Sequence, residues 1–209
     1  MAAVGPASIP PPAGPDVLGP ADLSRRLQAG SAALFPTDTL PALAAAPDHA
    51  GQLWRLKQRP PDKPLILMAA ELTQLQEVLG QPWHPAWLEL AQAVWPGAVT
   101  LVLPASSPWA AVLHPGGRSL GLRIPACEQA RALLRCSGPL ATTSANRSGE
   151  PAATTAAEAA LWFPAVPQLG PLPWPAAGGT ASTVLAWGDR GWRLIRAGAS
   201  LPSGLTLVP

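Results

Sequence analysis

The chain has 209 residues, 48% of them apolar and only 12% Asp, Glu, Lys or Arg, with a net charge of +2. That apolar share excludes wholesale disorder, the length suits one substantial core rather than two, and the small net charge argues little for nucleic-acid binding over the whole surface. Cys127 and Cys136 stand nine positions apart and His49, His84 and His114 are scattered, so neither a disulfide nor a metal held by protein side chains is expected.

Residues 1–19 are dominated by Pro, Ala and Gly, with no basic start and no apolar run, which predicts a flexible leader and no signal peptide. No stretch is long enough to span a membrane, so a cytoplasmic protein is expected. A helix follows over residues 22–29, with Leu23 and Leu27 on one face and Gly30 as its stop. A short strand over 31–35 breaks at Pro36 and runs into Pro36-Thr37-Asp38-Thr39, a turn that by composition alone is an ordinary Ser/Thr or Asx turn. Asp48 caps a helix that reaches Gln58 and is ended by Pro60 and Pro61.

Residues 63–68 then read as a buried strand, 71–79 and 85–94 as helices, and 99–103 and 119–124 as strands. Alternation along the last of these turns Arg123 away from the face shared by Leu122 and Ile124. A helix over 126–135 precedes a strand over 140–143, and Thr154 is expected to cap a helix over 155–161. Residues 164–175 are proline-rich and expected to be exposed. Strands over 182–187 and 192–196 pair about the turn at 188–191. Strands and helices thus alternate without a repeat, which predicts one α/β domain over 20–200 with a mixed sheet, followed by a short tail over 201–209.

In a chain so poor in charge, two segments stand out: Leu56-Lys57-Gln58-Arg59-Pro60 and Thr143-Ser144-Ala145-Asn146-Arg147-Ser148-Gly149-Glu150-Pro151. Lys supplies a point charge, Arg a planar fork of donors, and Ser and Asn short polar groups, a combination suited to phosphate. Lys57 and Arg59 also sit at a helix C-terminus, where the macrodipole favours cations without any ligand. Gly-x-Gly-x-x-Gly and Walker A patterns are both absent, so the two commonest nucleotide folds are not indicated.

The order of short motifs is itself informative. Pro36-Thr37-Asp38-Thr39, Lys57-x-Arg59-Pro60, Lys63-Pro64-Leu65, Trp95-Pro96-Gly97, Arg123-Ile124-Pro125, Ser144-Ala145-Asn146-x-Ser148-Gly149, Ser182-Thr183-Val184 and Ile195-Arg196-x-Gly198 follow one another. In this the chain resembles the YrdC-like family of threonylcarbamoyl-adenylate synthases, in its single-domain form, over roughly residues 20–200. The resemblance implies a single α/β domain, a twisted mixed sheet with flanking helices and a concave basic ligand-binding face. It also implies a nucleotidyl transfer in which L-threonine, bicarbonate or CO2, and ATP give threonylcarbamoyl-AMP and pyrophosphate. Mg2+ would arrive with ATP, and a threonylcarbamoyl transferase complex would pass the group on to tRNA. By the same resemblance Lys57, Arg59, Ser144 and Asn146 form the catalytic tetrad. Thr37, Thr39, Arg123 and Thr142 bind threonine, and Lys63, Ser182 and Arg196 join Arg59, Ser144 and Asn146 around the nucleotide.

Three departures bear on the amino acid. Leu40-Pro41-Ala42-Leu43 stands where the family usually has Val-Tyr-Gly-Leu, Met68 where many members have His, and Ala152 where Ser is common. The alternatives from other classes are an RNA-binding protein that uses the same basic face and a YciO-like paralogue with a different substrate.

Overall fold

In the computed structural model, which describes residues 14–60 and 62–208, ten strands join in one mixed sheet with helices packed on it. The elements in chain order are β1 Val17–Leu18, α1 Pro20–Gln28, β2 Ala33–Phe35, β3 Ala42–Ala45, α2 Gly51–Lys57, β4 Ile66–Met68, α3 Leu72–Val78, α4 Pro85–Val94 and β5 Val99–Pro104. There follow α5 Pro108–Leu113, β6 Ser119–Arg123, α6 Glu128–Ser137, β7 Leu140–Ser144, α7 Ala156–Trp162, β8 Gln168–Leu169, β9 Thr183–Gly188 and β10 Gly191–Arg196. The spatial order is β1-β8-β2-β3-β7-β4-β6-β5-β9-β10. Among the described residues no helix is long and apolar enough to cross a membrane.

Alternation along the strands divides the core between the two faces of the sheet. Leu34, Leu43, Leu67, Leu101, Leu122, Ala141 and Leu185 face one way and meet apolar residues of α2 to α5 and α7. Ala33, Phe35, Ala42, Ala44, Met68 and Leu140 face the other way, against Leu23 and Leu27 of α1 and Ala130, Leu133 and Leu134 of α6. Among the described residues the second helical layer consists of α1 and α6, and none of them gives the sheet beyond Met68 a helical cover on that side. Arg123 points to this open side, as alternation along β6 predicts, because Leu122 and Ile124 belong to the opposite core.

Several expectations need correction. Val17–Leu18 falls within the segment read as leader yet pairs in parallel with β8, and Asp16 O accepts the Gln168 N–H; residues 1–13 lie outside the described residues, as does Pro61. Ala42–Ala45 and Pro108–Leu113 were not expected as elements; the first is an alanine-rich strand whose composition carries no strand signal. Thr155, one residue after Thr154, is the N-cap of α7 and accepts the Glu158 N–H, while Thr154 bonds the Glu158 carboxylate. The proline-rich connection is not simply exposed: Gln168 and Leu169 thread into the sheet, and Trp174 is buried. The tail is docked as well, with Leu205 and Leu207 against the core and the Val208 N–H donating to Trp192 O.

Candidate active site

The open side of the sheet carries a cleft of about 210 Å³, lined among others by Thr39, Pro41, Arg59, Met68, Arg123, Thr142, Ser144, Ser182 and Arg196. Seven of the eleven residues singled out in the sequence therefore meet there: Thr39, Arg59, Arg123, Thr142, Ser144, Ser182 and Arg196. Strand pairing explains this convergence. Ile66 and Met68 of β4 lie level with Thr142 and Leu140 of β7 on one side and with Gly121 and Arg123 of β6 on the other. Ser144 pairs with Ala42 at the end of β3.

The two polar segments of the sequence also meet. The Lys57 Nζ reaches Ser144 O at 2.6 Å, Asn146 O at 2.6 Å and Asn146 Oδ1 at 2.8 Å. Three ammonium protons thus face three oxygens. Ser148 N–H donates to Lys57 O, and Arg147 Nη1 donates to Leu56 O. Lys57, expected in the catalytic tetrad, is only 3% exposed and does not line the cleft. It holds the loop that presents Ser144. Burial, and then the neighbouring Arg59 guanidinium, lower its pKa to about 7.

Asn146 is likewise spent inside the loop. Its Oδ1 accepts from Lys57 and from the Ser144 hydroxyl (2.7 Å), and its Nδ2 donates to Arg147 O and Glu150 O. With its proton on Asn146, the Ser144 hydroxyl turns lone pairs, not a donor, towards a ligand. Arg59 leaves α2 in the other direction because Gln58 sits in the left-handed region (φ 52°, ψ 48°) and reverses the chain. Its guanidinium donates to Thr143 Oγ1 and Pro64 O, both at 3.1 Å, while its buried Nε has no partner among the described residues.

Arg123 is 2% exposed. Its Nε donates to Gly97 O at 2.9 Å, Nη1 to Thr39 Oγ1 at 2.7 Å and Nη2 to Asp38 Oδ1 at 2.7 Å. Burial lowers its pKa, and the Asp38 carboxylate opposes that effect. The Thr142 hydroxyl donates to Ile66 O. Arg196 donates through Nη2 and Nε to Ser182 O, and the Ser182 hydroxyl meets Thr100 Oγ1 at 2.8 Å. Burial lowers the pKa values of Arg59 and Arg196 too, so an anion entering the cleft meets three guanidiniums, of which Arg123 is buried, Arg59 half-buried and Arg196 exposed.

Two of the remaining predicted residues are not on the cleft: Thr37 is buried and bonds Thr39, while Lys63 is exposed. Asp38, Thr100 and Thr143 were missed. A Thr or Asp that serves another side chain carries no spacing signal of its own. Among the described residues no carboxylate belongs to the cleft lining and no cluster of three or more His, Cys, Asp or Glu could hold a metal. The residues present do not fit a protein-held Mg2+.

A concave α/β surface carrying three guanidiniums and short hydroxyls, with no carboxylate among the described residues that line it, has the chemistry that suits a small polyanion. The family model described as "Telomere recombination", that of Sua5, YciO and YrdC proteins, matches residues 25–198, and the chain belongs to this family. It is 40% identical over 135 residues to a threonylcarbamoyl-AMP synthase of Stenotrophomonas maltophilia, covering 61% of this chain and 71% of that one. It is 38% identical over 143 residues to one of Halorhodospira halophila, covering 66% and 73%. The Pyrococcus abyssi Sua5 structure in complex with L-threonine superposes with a TM-score of 0.78 at 30% identity over 88% of this chain, which spans 57% of the Sua5 chain. Escherichia coli YciO superposes with a TM-score of 0.73 at 21% identity, covering 88% and 92%, which speaks for the fold alone.

Proposed function

We propose that the chain is a threonylcarbamoyl-AMP synthase, a nucleotidyltransferase that joins L-threonine, bicarbonate (or CO2) and ATP and releases pyrophosphate. The observation that carries this reading is the joining in one cleft of a buried guanidinium flanked by two threonine hydroxyls (Arg123, Thr39, Thr142) with two further guanidiniums (Arg59, Arg196). The first set suits the carboxylate and amine of an amino acid, the second a triphosphate. N-carboxylated threonine is already an anion, so one of its carbamate oxygens attacks the α-phosphorus as the bond to pyrophosphate breaks. No protein base is needed. Arg59 and Arg196 offset the charge gathered on the phosphoryl oxygens and on the leaving pyrophosphate. Mg2+ enters as part of the MgATP substrate.

The product would pass to a threonylcarbamoyl transferase complex acting on tRNA in the cytoplasm. A concave cleft with an apolar floor and convergent guanidiniums suits a small molecule rather than an RNA helix, which favours the enzyme over an RNA-binding protein. Pyrophosphate release that requires ATP, bicarbonate and threonine together tests the reading. Arg59→Ala is expected to lower kcat/KM by roughly 10²-fold or more, the scale of removing one group that stabilises transition-state charge. Turnover unchanged in that variant would remove Arg59 from the machinery.

A further inference from the structure

We propose that Asp38, which does not line the cleft, is a positioning residue for the amino acid: it fixes the Arg123 guanidinium and, through it, the direction of the hydrogen bonds that run on to Thr39 and Thr37. The inference rests on the reaction proposed above.

The Thr37 hydroxyl donates to Leu40 O at 2.6 Å and so has no proton left for its 3.0 Å contact with the Thr39 hydroxyl; there Thr39 donates, sharing an acceptor that also takes the Thr39 and Leu40 N–H groups at 3.1 and 3.2 Å. Thr39 Oγ1 also accepts from Arg123 Nη1. A hydroxyl oxygen has one proton and two lone pairs, so Thr39 keeps one lone pair for the cleft and no donor. Arg123 has five N–H groups; Gly97 O, Thr39 and Asp38 take one each, and one remains on each terminal nitrogen. That remainder is the fork a substrate carboxylate accepts, and the Thr39 lone pair is the acceptor an N–H or O–H of the same substrate requires.

Asp38 is well placed to hold this order. Its Oδ1 takes both the Arg123 Nη2 proton and the Ala126 N–H (2.9 Å), and its backbone carbonyl takes the Gly178 N–H (3.0 Å). The pair is largely withdrawn from water, with side-chain exposures of 3% for Arg123 and 19% for Asp38, so neither group has solvent as a ready substitute partner. Without the carboxylate, Nη2 loses its fixed partner and the guanidinium can turn its donors away from the cleft.

The test compares Asp38→Ala, Asp38→Asn and Thr37→Val by the KM for threonine, the KM for ATP, kcat for pyrophosphate release, and thermal stability. Asp38→Ala is expected to raise the threonine KM by about tenfold or more, the scale of one charge-assisted hydrogen bond, and to leave the ATP KM within about twofold. Asp38→Asn keeps the Oδ1 acceptor and should stay within about threefold of wild type for threonine. Thr37→Val frees the Thr39 proton to compete with substrate donors and should raise the threonine KM several-fold. A lower melting temperature with unchanged threonine KM, an equal rise in both KM values, or an Asn variant as impaired as the Ala variant would overturn the proposal. If Asp38→Ala does not fold, an unchanged threonine KM in Thr37→Val overturns it. Wild-type enzyme without threonine-dependent turnover would instead contradict the underlying reaction.

Discussion

Lys57 and Arg59 are two residues apart, yet they do different work. Lys57 turns inward and spends its three donors on the loop from Ser144 to Asn146, whereas Arg59 turns out to the cleft. Gln58 between them makes the divergence possible by adopting a backbone conformation that costs a non-glycine residue about 1–3 kcal/mol. Gln58→Gly is therefore expected to raise stability by about 1 kcal/mol in a urea titration, with activity retained if Arg59 keeps its course. The buried ammonium also makes a pH prediction. Its pKa falls from the ordinary 10.5 to about 7 on folding, so between those values the unfolded chain holds a proton that the folded one has lost. Stability should rise with pH across that window, and the slope should vanish below about 7, where both states are protonated. Urea midpoints of wild type minus Lys57→Met between pH 6 and 10 isolate the effect; a flat difference would contradict it. The same variant loses the loop anchor, and its turnover should fall by roughly 10²-fold, the scale of losing several hydrogen bonds to a charged group.

At the scale of elements, the C-terminal hairpin places Arg196 on the side of the cleft proposed above for the nucleotide. β10 shifts register between Leu194 and Arg196, which brings Arg196 over Ser182 O, and the chain then passes so close to β9 that a Cβ on Gly198 would meet Ala181 O at 2.3 Å and Ser182 C and Thr183 N at 2.4 Å. Gly198→Ala must push Ser182 and Arg196 apart. It is expected to cost about 1–3 kcal/mol of stability and to raise the KM for ATP while sparing that for threonine. Equal effects on both substrates would mean that the hairpin does not divide them.

Such elements also show what a sequence can reveal. Helices α1 and α4 and the β9–β10 hairpin were legible because Leu23/Leu27 spacing, the Pro85 start and the glycine-flanked turn are local signals. β3 and β8 were not, because an alanine run becomes a strand only when β2 and β7 supply partners, and a Gln-Leu pair only when β1 and β2 do. In the site, the cationic and hydroxyl residues were legible as types. Which of them reach the cleft was not, since Lys57 and Asn146 consume each other's hydrogen bonds only once the two segments meet.

For the whole molecule, the architecture explains why the cleft lies where it does. α1 and α6 cover one part of a ten-stranded sheet, and the ends of β3, β4, β6, β7 and β9 converge on the uncovered part beside it. An apolar floor of Ile66, Met68 and Ala42 and a rim of guanidiniums suit an amino acid joined to a polyphosphate. The most direct test is to incubate the protein with ATP, bicarbonate and a panel of amino acids, and to identify the adenylate product by mass. Pyrophosphate release strongest with L-threonine, together with a product of the mass of threonylcarbamoyl-AMP, is the result expected. Release with another amino acid only, or nucleotide binding without turnover for any of them, would contradict the proposed reaction.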